Sequence, residues 1–393
     1  MKESTETDVF KRTTRLNGGM LRGARAVIAM AVSGLLVSAV IMTAGCGKSS
    51  SGSAVLPQAP YVIALSQPAG SVPGALYALS PTQGTVQKLS LSVGLIPNSM
   101  LLDGHNLYVV NAGDGTISVI GINESSSTIS LTNKALIQLT TTSFPEYITT
   151  TTSGGVQKGY VSLNGTNQVA VLEMTTDTVT KYINLPNYSS WATGFQTHPW
   201  GLSIINGKVV VANNGADYAA STYTQPAMLS VIVPTADTLL TPVTTTTGIN
   251  LQAVEPLTQT GFVVISGGNY SSIGGYAELF DNAFAEKTAI PLSGGGAGIA
   301  ISTTGIGYVA LSSMVGYDTI NTNTGLWITT TDLSKQVSGL TGYNLSSIKF
   351  APDGTLWATD WQDNMVFEID PSTNTVIKTF KLPDPAQDVV FVY

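Results

Sequence analysis

The side chains that could do chemistry in this chain are few and far apart. It has two histidines, His105 and His198, and a Ser–His–acid hydrolase would need one of them as its general base. No serine stands in a recognisable nucleophile turn, and the sequence contains no HExxH, CxxC or CxxCH motif. We therefore expect structural roles for both histidines, and we expect no catalytic residue, no metal ligands and no cofactor.

Three oxygen-bearing side chains keep one alternative open. Asn98, Glu146 and Asp360 carry the ligand atoms that a hard cation such as Ca²⁺ prefers. A Ca²⁺ site would have to bring these residues together from three distant parts of the chain. If it formed, it would point to a metal-dependent enzyme instead of a binding protein.

Aromatic residues lie in or beside long predicted turns, which is where binding usually resides. Aromatic rings with amide and carboxylate neighbours suit the surface of a sugar or a peptide. The alternative is that these tyrosines pack against their own loops. The long turns span residues 213–226, 266–273 and 312–323, and the candidate ligand-binding residues are Asn98, Glu146, His198, Trp200, Tyr218, Tyr223, Tyr270, Tyr317, Asp360 and Trp361.

The charge of the chain argues against nucleic acids and phosphorylated ligands. From Cys46 onward there are 11 lysines, no arginine and 21 acidic residues. Arginine supplies the bidentate contacts to phosphates and base edges, and clustered positive charge supplies most non-specific affinity for nucleic acid. The glycine-rich run 293–298 is followed by no Lys-Ser/Thr pair and no helix, so it reads as a connection between sheets and not as a phosphate loop.

The N-terminus has the pattern of a secretory signal. Residues 26–42 are uncharged and apolar, follow Arg22 and Arg25, and precede the small residues Thr43, Ala44 and Gly45. A transmembrane helix is the alternative, but 17 residues is the bottom of the range that spans a bilayer. The run 43–46 resembles a bacterial lipobox, which implies cleavage before Cys46 and lipidation of its thiol.

These features predict the organisation of the chain. Residues 1–45 are expected to be the signal peptide, with Met20 as an alternative start, and residues 46–60 a lipidated cysteine and flexible tether rich in Ser, Gly and Pro. The lipid would anchor the protein to a membrane. Gly47 after the cysteine favours the outer membrane or the cell surface, and residues 61–393 form the folded domain.

That domain repeats one pattern about every 50 residues. Alternating apolar runs are separated by turn dipeptides such as Asp103-Gly104 and Asp353-Gly354, which is typical of hairpins. Four antiparallel strands recur in each unit, and seven units predict an all-β, seven-bladed β-propeller. The seven copies of the Tyr-Val strand begin at residues 61, 107, 159, 208, 261, 307 and 355.

The two ends of the domain predict how the ring closes. The first unit begins at its Tyr61 strand and lacks the strand that precedes it in the other units, whereas residues 386–393 form a strand with nothing after it. We expect this C-terminal strand to complete the first blade, so that no edge between the first and last blades remains unpaired.

The best-preserved units, residues 107–122 and 350–383, resemble the YVTN and related NHL-like propeller repeats. The resemblance covers residues 60–393 and implies the fold, but this architecture hosts many functions. Some propellers of this kind are lactonases that use a metal, which is the role that a Ca²⁺ site of Asn98, Glu146 and Asp360 would imply. The sugar-phosphate lactonases of a related group rely on arginine, which this domain lacks.

Three functions follow as hypotheses. The first is a lipid-anchored binding protein of the cell envelope that holds a protein or a glycan on its loop-rich face. The second is a Ca²⁺-dependent lactonase- or lyase-like enzyme. The third is a periplasmic assembly scaffold whose partner docks on the blade edges.

Overall fold

The computed structural model describes residues 52–57, 60–125, 128–140, 142–188, 191–223, 227–258, 260–270, 272–342 and 344–392. These residues form strands joined by turns, with two short 3₁₀ turns at Asn164–Thr166 and Leu333–Lys335. Within these ranges, no helix has the length and apolar character needed to cross a membrane. The predicted signal peptide, Cys46 and the alternative start at Met20 lie outside the described residues.

The strands follow one another in a regular order. The first half of the domain contains β1 (Ser53–Pro57), β2 (Tyr61–Ser66), β3 (Ala75–Ser80), β4 (Thr85–Lys88), β5 (Pro97–Asp103), β6 (Asn106–Asn111), β7 (Thr116–Glu124), β8 (Thr128–Gln138), β9 (Pro145–Ser153), β10 (Val156–Leu163), β11 (Gln168–Glu173), β12 (Thr178–Asn184), β13 (Pro199–Ile205), β14 (Lys208–Asn213), β15 (Ala216–Asp217) and β16 (Thr222–Tyr223). The second half contains β17 (Met228–Val233), β18 (Thr238–Leu239), β19 (Val243–Thr244), β20 (Leu251–Pro256), β21 (Phe262–Ser266), β22 (Tyr276–Phe280), β23 (Glu286–Pro291), β24 (Gly296–Ile301), β25 (Ile306–Leu311), β26 (Gly316–Asn321), β27 (Leu326–Asp332), β28 (Leu345–Phe350), β29 (Leu356–Asp360), β30 (Met365–Asp370), β31 (Thr375–Lys381) and β32 (Ala386–Val392).

Seven antiparallel sheets form the blades, which confirms the predicted all-β, seven-bladed β-propeller. Each blade has an inner strand, a second strand, a third strand and an outer strand. In blade 4 the outer position is shared by β18 and β19, and β15 and β16 form a small separate hairpin. From the inner to the outer strand, blade 1 is β32-β2-β3-β4, blade 2 is β5 to β8, blade 3 is β9 to β12, blade 4 is β13-β14-β17-β18, blade 5 is β20 to β23, blade 6 is β24 to β27 and blade 7 is β28 to β31.

The inner strands of successive blades contact one another in a closed ring. The ring runs through β5, β9, β13, β20, β24, β28 and β32 and returns to β5. The ring surrounds a central axis, and we call the region along this axis the channel. Two strands separate β24 from β5 on one side, and two separate it from β9 on the other. The inner strand of blade 6 therefore lies across the channel from those of blades 2 and 3.

The C-terminal strand closes the ring as the sequence predicts. β32 pairs antiparallel with β2 over most of its length, with Val62 opposite Phe391 and Ile63 opposite Val390. The Gln67 N–H also donates a hydrogen bond of 2.9 Å to the carbonyl of Pro385, just before the strand. The first blade therefore takes strands from both ends of the domain.

A fifth strand extends blade 2 and corrects the prediction for the tether. Residues Ser53–Pro57 form β1, which pairs antiparallel with the outer strand β8, with Val55 opposite Ser130. The predicted flexible tether over residues 46–60 is therefore wrong for Ser53–Pro57. The polar composition of this segment predicted a flexible chain without secondary structure. In the structure, however, the apolar Leu56 is buried at the outer edge of blade 2. The strand β8 has backbone groups at this edge that β1 can pair with.

The tyrosine of the Tyr-Val repeat links neighbouring blades. The second strand of a blade is buried on both faces, as in β14, where Val209, Val210 and Val211 are all fully buried. The hydroxyl of Tyr108 donates to Asp177 of the next blade at 3.0 Å, and that of Tyr160 donates to Asp237 at 2.6 Å. The repeat therefore reflects blade packing, and it carries no information about a ligand.

Candidate functional site

Two sets of loops meet on one face of the propeller, as the sequence predicts. One set leads into the inner strands, and the other joins the second strand of each blade to the third. In every blade, the first residue after the second strand donates its N–H to the carbonyl just before an inner strand, at 2.7 to 3.3 Å. The seven pairs are Gln67–Pro385, Ala112–Ile96, Asn164–Phe144, Asn214–His198, Gly267–Asn250, Ser312–Gly295 and Trp361–Asn344.

The residue just before the inner strand has a left-handed backbone in five of the seven blades. The φ angles are 47° at Ile96, 43° at Phe144, 45° at His198, 59° at Asn250 and 113° at Asn344. Non-glycine residues rarely adopt this conformation, and a β-branched residue such as Ile96 does so least readily. The hydrogen bond from the facing loop holds it in place and turns the chain into the channel.

A β-bulge follows this turn in every blade. The inner strand has one residue more than its neighbour at this point, so the second residue of the strand projects out of register. Bulges are common beside functional sites because they redirect a side chain. The seven residues at this position form what we call the mouth ring: Asn98, Glu146, Trp200, Gln252, Ala297, Ser346 and Gln387.

Asn98 and Glu146 are neighbouring polar members of the mouth ring, and they are hydrogen-bonded to each other. The Asn98 amide Nδ2 donates a hydrogen bond to Glu146 Oε2 across the boundary between blades 2 and 3. On its other side, Asn98 Oδ1 accepts a hydrogen bond of 3.0 Å from Gln67 Nε2, and Gln67 Oε1 accepts one of 3.0 Å from the indole of Trp361. Three predicted site residues are thus joined in one network.

The carboxyl group of Glu146 is buried and electrostatically perturbed. The residue is 5% exposed. Burial raises the pKa of Glu146 to about 8, although the hydrogen bond from Asn98 acts in the opposite direction. Most Glu146 carboxyls are therefore protonated at neutral pH, where they can donate a hydrogen bond as well as accept one.

His198 and Tyr218 form one wall of the mouth. Their rings stack with centroids 4.1 Å apart, and His198 Nδ1 lies 3.0 Å from the carbonyl oxygen of Asn164. The Tyr218 hydroxyl lies 3.2 Å from the amide nitrogens of both Asn164 and Asn214. Burial lowers the pKa of His198, which favours the neutral imidazole.

Two tyrosines from the long turns of blades 4 and 5 continue this wall. Tyr223 and Tyr270 meet edge to face with ring centroids 6.2 Å apart, and Tyr270 is 42% exposed. Below them, Gln252 of the mouth ring donates a hydrogen bond of 2.7 Å to Asn250 Oδ1. The aromatic side of the mouth therefore lies over blades 4 and 5, and the polar side over blades 2 and 3.

The third residues of the inner strands form a second layer, which we call the channel ring. Its members are Ser99, Tyr147, Gly201, Ala253, Gly298, Ser347 and Asp388. Asp388 pairs with Lys349 at 2.7 Å and accepts further hydrogen bonds from the Met100 N–H and the Ser347 hydroxyl, both at 2.8 Å. Burial raises the pKa of Tyr147, and its interaction with Trp200 of the mouth ring acts in the opposite direction.

Glu255 lies one further step down the channel. Burial raises its pKa to about 7, and the positive charge of Lys349 acts in the opposite direction. Lys349 is already bonded to both carboxylate oxygens of Asp388. The described part of the channel therefore contains the Lys349–Asp388 ion pair and the carboxyl group of Glu255.

Two of the predicted site residues do not reach the mouth. Tyr317 is fully buried in β26, where its hydroxyl donates to Asn374 Oδ1 at 3.1 Å. The predicted long turn 312–323 is wrong because Gly316–Asn321 is a strand, which leaves a turn of residues 312–315. Asp360 is also fully buried, and its Oδ1 accepts the N–H groups of Gln362 and Asp363 within its own turn.

This placement does not fit the alternative of a Ca²⁺ site. Asn98 turns its amide nitrogen towards Glu146, and Asp360 is committed to a turn inside blade 7. Of the three candidate ligands, only Glu146 then offers a carboxylate at the mouth, whereas Ca²⁺ takes six to eight oxygen ligands. The described part of the chain contains no group of three or more His, Cys, Asp or Glu residues that could hold a metal ion.

Sequence reasoning missed several residues of the site. Gln67 lies in the loop after β2 and joins Trp361 to Asn98, and Tyr147 directly follows a predicted residue. Lys349 and Glu255 lie three residues beyond mouth-ring positions, on the channel side of their strands. Counting two and four residues from the start of each inner strand would have found Tyr147, Lys349 and Glu255, but only with the bulge known, and Gln67 lies outside these strands.

His105 lies away from these residues. It occupies the turn between β5 and β6, and this turn is at the end of the propeller opposite the mouth. Its carbonyl accepts the N–H of Ile122 at 2.7 Å. The two histidines are therefore on opposite faces and cannot act on one ligand.

No protein-family model matches the sequence, and no curated protein matches it significantly. Solved structures do resemble the fold. A periplasmic gluconolactonase of Pseudomonas aeruginosa is 14% identical with a TM-score of 0.64, covering 85% of this chain and 99% of that one. A Bacteroides fragilis protein assigned as a 6-phosphogluconolactonase is 16% identical with a TM-score of 0.63, covering 89% of this chain and 100% of that one.

A lyase has the same architecture. Virginiamycin B lyase of Staphylococcus aureus is 13% identical with a TM-score of 0.54, covering 73% of this chain and 84% of that one. At these identities the similarities establish the seven-bladed fold and leave the activity to be argued from the site.

Proposed function

We propose that the mouth of the propeller binds a carbohydrate, either a unit of a glycan or a sugar lactone. The observation that carries this proposal is the hydrogen-bonded pair of Asn98 and Glu146 on the side of the mouth next to the aromatic wall. Sugars present hydroxyl groups that both donate and accept, together with C–H faces that pack on aromatic rings. Amides and a protonated carboxyl group match the hydroxyls, and Trp200, Tyr223 and Tyr270 supply the rings.

The test is a binding titration with neutral mono- and oligosaccharides, read by calorimetry and by the fluorescence of Trp200 and Trp361. Glu146→Ala should weaken binding about tenfold or more, because it removes a hydrogen-bonding group from a buried site. Glu124→Ala, at an exposed position on β7, is the matched control and should bind like the wild type. Equal affinities for all three proteins would contradict the proposed site.

A second function, metal-independent hydrolysis of a sugar lactone, is favoured by the raised pKa of Glu146. In its ionised form Glu146 would take a proton from water while the water oxygen attacks the lactone carbonyl. The ring ester bond would then break, and the proton would pass to the leaving alkoxide. The resemblance to a gluconolactonase fold supports testing this reaction first.

Hydrolysis of glucono-1,5-lactone, followed by proton release, separates the two functions. An enzyme would show a rate that rises with an apparent pKa near 8 and is lost in Glu146→Gln. A binding protein would show no rate above the uncatalysed reaction. Catalysis that survives in Glu146→Gln would remove Glu146 as the base.

We also propose that the protein is exported and anchored to the cell envelope through a lipid on Cys46, at the outer membrane or the cell surface. The lipobox-like run 43–46 supports this location. Cys46→Ser should move the protein from the membrane fraction to the soluble fraction and abolish labelling by a fatty acid. A protein partner on the same face would appear as a cross-linked species that depends on Tyr223 and Tyr270.

A further inference from the structure

We infer that the mouth selects ligands without negative charge and excludes phosphorylated sugars, and that Gly298 is the position that determines this selectivity. The inference rests on the proposed carbohydrate site and names the class of sugar that it takes. It distinguishes this protein from the structurally similar Bacteroides fragilis protein that is assigned as a 6-phosphogluconolactonase. The determinants are the charges around the channel and the empty sector of blade 6.

The charges around the mouth offer nothing to a phosphate. Among the described residues of the seven inner strands, Lys349 is the only cation, and it is bonded to both oxygens of Asp388. In the described loops on the mouth face, Lys335 is the only lysine or arginine. Its side chain is 80% exposed and it pairs with Asp332 at 3.6 Å. A phosphate in the mouth would therefore meet no unpaired cation from these residues.

The same space contains acidic groups that repel an anion when they are ionised. Asp388 in the channel ring is ion-paired with Lys349. Glu255 below it, with a pKa of about 7, is partly ionised at neutral pH, whereas Glu146 in the mouth ring, with a pKa of about 8, is mostly protonated there. Like charges brought together in a partly desolvated site interact far more strongly than in bulk water. A phosphate would also lose its hydration without gaining charge-assisted hydrogen bonds. An uncharged sugar meets neither obstacle.

Blade 6 supplies the room for the ligand. Its contribution to the mouth ring is Ala297 and its contribution to the channel ring is Gly298, so almost no side chain enters from this side. A Cβ atom added at Gly298 would meet nothing within 4 Å, in contrast to Gly201 in blade 4, where it would meet the Gln252 carbonyl oxygen at 2.3 Å. This empty sector lies across the channel from Asn98 and Glu146.

The geometry makes Gly298 a position where selectivity can be changed without disturbing the fold. Its φ angle is not in the left-handed region, and the surrounding space accepts a side chain. Gly298→Lys would place an unpaired ammonium group on the ligand side of the channel. Gly298→Met has a similar length without the charge and is the matched control.

The experiment measures binding of glucose and N-acetylglucosamine, each with and without a 6-phosphate, to the wild type and both variants. The wild type should bind at least one neutral sugar more than tenfold tighter than its 6-phosphate. Gly298→Lys should bind the 6-phosphate at least tenfold tighter than Gly298→Met does, and the gain should shrink as salt is raised. Thermal melts of the three proteins check that the fold is retained.

The outcomes distinguish this inference from the proposed function. Equal or tighter binding of the 6-phosphates by the wild type would overturn the selectivity and leave carbohydrate binding in place. No gain for Gly298→Lys in a folded protein would overturn the role of Gly298. Failure of the wild type to bind any of the four sugars, together with failure of the titration with larger neutral glycans, would overturn the proposed function and this inference with it.

Discussion

Glu146 should make the stability of the protein depend on pH in an unusual direction. Its pKa is raised from 4.5 to about 8 by burial, so the folded state holds the proton more tightly than the unfolded state does. The resulting contribution to stability is complete below pH 4.5 and is lost as the pH rises through 8. Each unit of pKa difference corresponds to 1.36 kcal/mol, so the total change from this one group is about 5 kcal/mol.

Glu146→Gln removes the titration and keeps a hydrogen-bonding side chain of the same shape. Near pH 5 the variant and the wild type should differ by less than about 1 kcal/mol, because both carry a neutral group that can accept from Asn98. Above pH 8 the variant should be more stable by several kcal/mol. Glu255 and Glu278, whose pKa values are both raised to about 7, keep part of the pH dependence in both proteins.

The assay is urea unfolding followed by circular dichroism at pH 5, 6, 7, 8 and 9, with the wild type, Glu146→Gln and Glu124→Gln. The difference in unfolding free energy between the wild type and Glu146→Gln should change steadily with pH. The unfolding free energy of Glu124→Gln should change with pH in the same way as that of the wild type. Parallel profiles for all three proteins would refute the reasoning, because Glu146 would then titrate alike in the folded and unfolded chains.

Three further predictions concern the fold. Tyr160→Phe removes the bond to Asp237 and should lower the unfolding free energy by about 1 to 3 kcal/mol by urea titration, whereas an unchanged value would show that the bond contributes nothing. Tyr317→Phe should cost about 1 kcal/mol by the same measurement and leave sugar binding unchanged, so a loss of affinity would restore Tyr317 to the site. Removing Ala386–Val392 should abolish the cooperative thermal transition, and a sharp unaltered melt would show that ring closure is dispensable.

The sequence was sufficient to predict the blades because strand burial leaves a strong pattern. Both faces of the second strand are covered, so runs such as residues 209–212 are apolar throughout and repeat at a regular spacing. The closing strand could be predicted because one unit lacked a strand and the end of the chain supplied one. These features depend on residue type alone.

The errors arose where burial and residue type disagree. β26 carries Asp318 and Thr319, which are both buried, and this polar content made a strand read as part of a loop. β1 has five residues in a Ser- and Gly-rich segment, so its pairing with β8 left little pattern in the sequence. In both cases, contacts with other strands bury or pair residues that the local composition predicts to be exposed to solvent.

The site itself could be predicted only in part. Asn98, Glu146 and Trp200 were found because each comes just after the predicted entry to an inner strand. The bulge that turns them into the channel, and the left-handed backbone before it, depend on hydrogen bonds between loops and leave no signature in residue type. The burial that perturbs Glu146 is likewise a property of the assembled ring.

The structure of the protein crystallised with a bound neutral sugar tests the central claim most directly. We predict that the sugar lies in the mouth with a hydroxyl group within hydrogen-bonding distance of Glu146 and Asn98, and with its body in the sector bounded by Ala297 and Gly298. A sugar bound on another face of the propeller, with the Asn98–Glu146 pair unchanged, would contradict the account.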